Sequence, residues 1–300
     1  MIKTMAGIVL YNAEIERLFM EIESVLPQVD LICLCDNGST NIDMIEKKIG
    51  ENEKIVIIKN ENNLGIGTAS NQICLYAEKK GFDWVLMLDH DTVCPADLVA
   101  TYKKYIDDES LGMLCPNVVD KELARNQYNS IGDGEIEYIQ RCIQSATFVK
   151  ITAWKKCGGF NEWMFIDFVD FDFCKRMEIN GFRIARCKTV TVDHQLGKRV
   201  KTKNADFFMN LYHKTGKSIF KYLTYKNEFS EARIYYCARN NIAYIKLFAG
   251  YIDKKKEWMI FFSRIFKKLI RSKNRLMVIR ETVKGAYAGV KSNIIPYKPD

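Results

Sequence analysis

The stretch Trp84-Val85-Leu86-Met87-Leu88-Asp89-His90-Asp91 decides the fold. Five consecutive apolar residues suit a strand buried on both faces, the kind that parallel sheets contain. The run ends abruptly on two acids separated by one residue. Side chains at i and i+2 of an extended segment point the same way, so Asp89 and Asp91 face one ligand while His90 turns aside. Carboxylate oxygens suit Mg²⁺ or Mn²⁺, which complete their shell with substrate phosphates and water. The same residues also read as a helix start, because Asp and Thr92 are good caps and Pro95 suits a first turn. The spacing alone does not separate these readings.

On both sides of this segment, short β-rich runs alternate with helical patterns. Ala6–Tyr11 is followed by Ile15–Val25, Leu31–Cys35 by Ile42–Ile49, and Ile55–Lys59 by Thr68–Lys80. Trp84–Leu88 is followed by Ala96–Ile106 and then Met113–Asn117. Such alternation predicts an α/β fold with a mostly parallel sheet flanked by helices. Ligands of such sheets lie beyond the carboxyl ends of the strands. Polar clusters follow three predicted strands there: Asp36-Asn37-Gly38-Ser39, Asn62-Asn63-Leu64-Gly65 and Asp89-His90-Asp91. Beyond residue 120 a polar stretch leads to an apolar run, Cys142–Ile151, read as another strand. Gly158-Gly159 then introduces an aromatic and acidic segment, Phe160–Phe173, and a helix that Gly181 ends. Residues 1–204 read as one catalytic-type domain and 205–300 as a mainly helical region.

The chain has 300 residues, 48% of them hydrophobic, enough for a full core. No run reaches the ~18 apolar residues of a spanning helix, and the N-terminus does not resemble a secretion leader. Ten cysteines without a CxxC pair fit buried thiols in a reducing cytoplasm. Charge divides sharply: residues 201–300 carry 22 Lys and Arg against 7 Asp and Glu, leaving 23 against 30 in the first 200. The basic end suits phosphates.

With these motifs in order, the chain resembles the inverting glycosyltransferases of family 2, which have the GT-A fold, and within them the bacterial rhamnosyltransferase-like group. The resemblance covers roughly residues 5–245. It rests on Asp36–Ser39, Asn63-Leu64-Gly65 with Asn71, Leu88–Asp91, Gly158-Gly159-Phe160, Phe165–Asp172, His194 with Gly197, and Tyr235–Asn240. His90 stands where the group often has Gln, a change between the acids that carry the chemistry.

The resemblance implies roles residue by residue. Asp36 would accept the imide N–H of uracil or thymine, and its Asp/Asn/Gly/Ser setting also reads as a turn. Asn63 and Gly65 would bring backbone close to the nucleotide. Asp89 would lie near ribose and metal, with Asp91 the direct ligand of Mn²⁺ or Mg²⁺. His194 would add an imidazole to metal or diphosphate, against the reading of a structural histidine. Asp170 is first candidate for the base that deprotonates the acceptor, and Asp167 second. Asp172 reads as the i,i+4 partner of Arg176.

The implied activity is transfer of rhamnose from dTDP-rhamnose to a lipid-linked saccharide of a bacterial surface polysaccharide, without processivity. A hexosyl- or galactofuranosyltransferase using a UDP-sugar is the alternative, and a silent nucleotide-sugar or lipid-binding scaffold is the alternative of another class. Processive synthases of this superfamily carry a QxxRW element and spanning helices, and neither is found here. Trp258–Ile270 has aromatics at helical spacing among cations, a pattern suited to peripheral contact at the inner face of the cell membrane or to a helix docked on the domain or on a second subunit of a homodimer. No nucleic-acid module accompanies the charge.

Overall fold

The computed structural model describes residues 2–120, 125–126, 134–193 and 199–299. They form two compact units, the first running to Phe165 and resuming at Val169 through the ninth strand, the second made of Ile166–Phe168 and the chain beyond.

The first unit opens with β1 (Thr4–Leu10), α1 (Ile15–Val25), β2 (Leu31–Asp36), α2 (Ile42–Ile49), β3 (Ile55–Lys59), α3 (Ile66–Lys80) and β4 (Trp84–Asp89). The four strands are parallel in the order β3-β2-β1-β4. After α4 (Leu98–Lys103) come β5 (Leu111–Asp120), β6 (Arg125–Asn126), β7 (Ile136–Ile139), β8 (Thr147–Lys150), α5 (Ile151–Lys156), α6 (Val169–Ile179) and β9 (Arg183–Asp193). β8 joins β4 to β5 by antiparallel pairing on both sides, so the sheet continues as β4-β8-β5-β9-β7. The expected strand over Cys142–Ile151 is only β8, because Ala146 has a left-handed φ of 58° that no strand accommodates.

Alternation divides β1 between two layers. Ala6, Ile8 and Leu10 join Leu18, Ile22 and Val25 of α1, Ile45 of α2 and Tyr102 of α4 in one core. Gly7 faces α3, where an added Cβ would fall 2.3 Å from the Ile73 side chain, so this contact requires glycine. All ten cysteines are free, nine of them buried.

The second unit holds β10 (Arg199–Lys201), α7 (Ala205–Thr215), α8 (Ser218–Thr224), β11 (Tyr225–Asn227), α9 (Glu231–Leu247), α10 (Lys254–Arg271) and α11 (Arg275–Lys291). Ser230, Asp253 and Asn274 cap the last three helices through side-chain oxygens. Gly285 and Gly289 let α11 meet α9 backbone to backbone, since a Cβ at Gly285 would lie 2.2 Å from the Tyr235 carbonyl. Among the described residues, no helix is long and apolar enough to cross a membrane.

Candidate active site

The chain reverses direction across the sheet at β1, building β2 and β3 on one side before returning to β4 on the other. That reversal opens a crevice at the carboxyl ends of the strands. The register puts Asp36 beside Leu10 and Asp89 beside Val9. Two strand spacings separate these acids, roughly 10 Å, with the end of β1 between them.

Asp36 is buried, and its carboxylate accepts the backbone N–H groups of Gly38 and Ser39 at 3.2 Å. The turn reading is therefore present in the structure, and the acid is held at the rim of the crevice by its own turn. Sequence reasoning missed the carboxamides that brace this corner. Asn37 donates to Asn63 Oδ1 and accepts from the Leu64 N–H, while Asn60 and Gln72 exchange reciprocal 2.8 Å bonds. Asn12 fastens β1 to the same turn by accepting from Thr40 and donating its N–H to Ser39 Oγ. Their only sequence signal is an excess of Asn beside predicted strand ends.

Beyond β4 the chain makes a tight turn in which Asp91 N–H donates to the Asp89 carbonyl at 2.7 Å. His90 turns toward β1, its Nδ1 3.4 Å from the Val9 carbonyl. The capping alternative fails here: α4 starts at Leu98 after Asp97, and Thr92 bonds the buried Ser145 hydroxyl instead. The Asp91 carboxylate makes no hydrogen bond among the described residues, while its carbonyl accepts from Arg17 Nε and Nη2 at 2.9 and 2.7 Å. Beneath the turn lies Glu21 of α1, 0% exposed, with neither carboxylate oxygen hydrogen-bonded among the described residues. Burial, then the nearby charges of Asp89 and Asp91, push the Glu21 carboxyl well above its ordinary value. The turn is thus a region of concentrated negative charge.

No group of three or more His, Cys, Asp or Glu side chains among the described residues is placed to hold a metal. Asp89 and Asp91 fit a divalent cation as a partial shell, of the kind Mg²⁺ or Mn²⁺ completes with substrate phosphates and water. His194 lies outside the described residues.

Gly65 has φ +86°, and a Cβ there would meet the Phe165 backbone at 2.8 Å. The close approach requiring glycine at this position is that of Phe165, whose carbonyl accepts the Ile66 N–H at 2.7 Å. Asn63 Oδ1 accepts the Gly65 N–H and completes the turn. Asn71 uses its whole carboxamide on residues 154–162, accepting from Phe160 N–H and Trp154 Nε1 and donating to the Phe160 carbonyl and Glu162. The Gly-Gly-Phe motif and Asn71 therefore form one fastening that delivers the acidic segment.

Within that segment Phe165, Asp167 and Phe168 all have left-handed φ of 60–68°. Such conformations cost about 1–3 kcal/mol each and cluster where function requires them. Asp170, in the first turn of α6, accepts the Phe171 N–H and lines a small pocket with Cys142, Gln144, Phe160 and Phe173. The 142–146 loop ties this pocket to the acidic turn, since Ser145 bonds Thr92. Asp172 is fully buried against Arg176 and Asn161, the expected i,i+4 pair. Burial raises its pKa against the pull of Arg176. Asp167 belongs to the helical unit, where it pairs with Arg233 at 3.4 Å.

The mostly parallel sheet of this order, flanked by helices, has the GT-A type of fold. Residues 6–165 match Glycosyl transferase family 2, more than half of the chain, which belongs to that family. The dTDP-rhamnosyl transferase RfbF of Shigella flexneri is 24% identical over 207 residues, spanning 65% of this chain and 69% of the relative. Similar solved structures include S. aureus TarS 1–349 in complex with UDP-GlcNAc (TM-score 0.51, 14% identity, 95% of this chain and 89% of that one). GalNAc-T7 with UDP, GalNAc and Mn²⁺ is also similar (TM-score 0.53, 13% identity, 94% of this chain and 56% of that one). At these identities the structures establish the fold.

Proposed function

We propose that this glycosyltransferase is an inverting, non-processive enzyme that uses a divalent cation and moves rhamnose from dTDP-rhamnose to a lipid-linked saccharide. The observation that carries the reading is the Asp91 carboxylate, without a hydrogen bond among the described residues, two positions past Asp89 at the end of β4, supported for the donor by the likeness to a dTDP-rhamnosyl transferase. Asp36 would accept the imide N–H of the base, with Asn63 and Gly65 shaping the adjoining wall. Asp91 and Asp89 would hold Mn²⁺ or Mg²⁺, joined by His194. When bound, that cation supplies a Lewis acid for charge on the departing diphosphate. Asp170 would take the proton of the attacking acceptor hydroxyl, with Asp167 the second candidate.

The helical unit supports placement at the inner, anionic face of a cell membrane. Met259, Phe262 and Phe266 stand exposed along α10, and Leu276, Ile279, Val283, Tyr287 and Val290 along α11. From Lys254 to Lys291 there are 12 Lys and Arg against 2 acids. Apolar rows among cations suit an anionic interface, and the same charge opposes pairing of this face with a second copy.

A thermal-shift panel of dTDP-rhamnose and UDP-sugars, with and without Mn²⁺, tests the donor and the metal together. A ligand at 100 times its Kd adds about 2.7 kcal/mol to stability. The largest shift is expected from dTDP-rhamnose with Mn²⁺. A larger shift from a UDP-sugar moves the assignment to the UDP-dependent alternative, and a shift indifferent to Mn²⁺ ends the metal reading.

A further inference from the structure

One polar row of α1 and the turn after it spends its side chains on a single loop. Arg17, Glu21, Ser24 and Gln28 recur at steps of four, three and four, which places them on one side of a helix. Arg17 donates twice to the Asp91 carbonyl. Ser24 Oγ accepts the Cys94 N–H at 3.2 Å. Gln28 donates to the Pro95 carbonyl at 2.9 Å and accepts the Val99 N–H at 3.1 Å. Glu21 is enclosed between these contacts, under the charges of Asp89 and Asp91. Between Asp91 and Val99, the Asp91 and Pro95 carbonyls and the Cys94 and Val99 N–H groups are taken up by side chains of α1 and the turn after it.

We propose that this row is a positioning element for the cation-binding turn, with Arg17 setting the placement of Asp91 through its carbonyl. The inference rests on the reading of Asp89 and Asp91 as cation ligands. Its physical reason is that a ligand on a loop binds well only when its backbone is fixed beforehand, and here the two adjacent acids repel each other. Arg17 brings a positive charge to the turn without occupying the Asp91 carboxylate. Groups that orient metal ligands from behind typically change metal affinity 10–100-fold when removed.

The test compares the full-length wild type with Arg17→Met, Arg17→Lys and Ser24→Ala. Mn²⁺ affinity in the presence of UDP or dTDP is read by electron paramagnetic resonance, and amide exchange of Asp91–Val99 in EDTA is read separately. Arg17→Met is expected to weaken Mn²⁺ binding 10–100-fold and speed exchange in the loop. Arg17→Lys, which keeps one donor, is expected to recover part of the loss. Ser24→Ala shifts both readouts in the same direction by less, and decides the matter should Arg17→Met not fold. Folded variants with wild-type Mn²⁺ affinity and exchange overturn the proposal while leaving the cation reading intact. A wild type that binds no Mn²⁺ overturns both.

Discussion

The Asn240 carboxamide donates to two successive backbone carbonyls, Ile166 at 2.8 Å and Asp167 at 2.9 Å, while its oxygen accepts from Arg239 Nε. Asn240 is 0% exposed, so no water replaces those bonds. The residues it holds include the left-handed Asp167 and Phe168. Asn240 in the middle of α9, read from sequence only as part of a family signature, thus fastens a strained acidic segment. Asn240→Ala leaves two carbonyls without donors and is expected to cost about 1–3 kcal/mol. Its larger effect is on turnover: kcat should fall at least tenfold with little change in KM for the donor. Thermal melts and steady-state kinetics check both, and an unchanged kcat removes the segment from the reaction.

Asp170 and Asp167 are the two residues proposed for the role of base. Asp167 is engaged by Arg233 at 3.4 Å within the helical unit. Asp170 faces a pocket lined by Cys142, Phe160 and Phe173. Asp170→Asn is therefore expected to lower kcat by roughly 10²–10⁴ with nucleotide binding by calorimetry intact, and Asp167→Asn by much less. The opposite ranking assigns the base to Asp167.

Asp91→Ala removes the one acid of the turn with no partner to lose among the described residues. Folding should be unaffected in EDTA, because no native hydrogen bond breaks and repulsion with Asp89 is relieved. Transfer activity should disappear. Substantial residual transfer at saturating Mn²⁺ contradicts the assigned role.

The parallel half of the sheet was legible because its signals are local. α1, α2 and β3 have the expected bounds, and α2 ends at Gly50. β9 was not legible: Arg183, Arg186 and Lys188 interrupt its apolar pattern, and its cations are matched by partners such as Glu137 and Asp108, distant in sequence. The same limit hides Glu21. Its place three residues after Leu18 and four before Val25 puts it beside the buried face of α1, but says nothing of the 91–99 loop that the same helix holds. Gly65 shows a different limit, since a glycine that admits a close backbone says nothing of which chain arrives, and here it is Phe165.

The exposed apolar rows of α10 and α11 lead to a membrane prediction. Phe262→Ser with Phe266→Ser, and separately Val283→Ser with Tyr287→Ser, are expected to reduce sedimentation with vesicles containing anionic lipid. Melting should change little, because these side chains are exposed. Each cation near an anionic surface adds about 1 kcal/mol, so binding should also weaken steeply with salt. Equal sedimentation with neutral and anionic vesicles, or a salt-insensitive dimer lost in the same variants, refutes the lipid assignment.

Glu21 gives the protein a pH dependence that can be worked out in sign. Its folded carboxyl titrates above the ordinary glutamate value of 4.5, chiefly through burial and then through Asp89 and Asp91. Between those two values the folded chain holds a proton that the unfolded chain has released, so stability falls as pH rises through the window. Below 4.5 both states are protonated and the contribution is complete. Glu21→Gln keeps the shape and removes the titration. In EDTA, the variant should therefore gain stability relative to wild type as pH is raised from 4.5 to 8. Urea unfolding of the pair at several pH values measures that difference, and a difference that stays constant across the range shows that Glu21 does not carry a raised pKa.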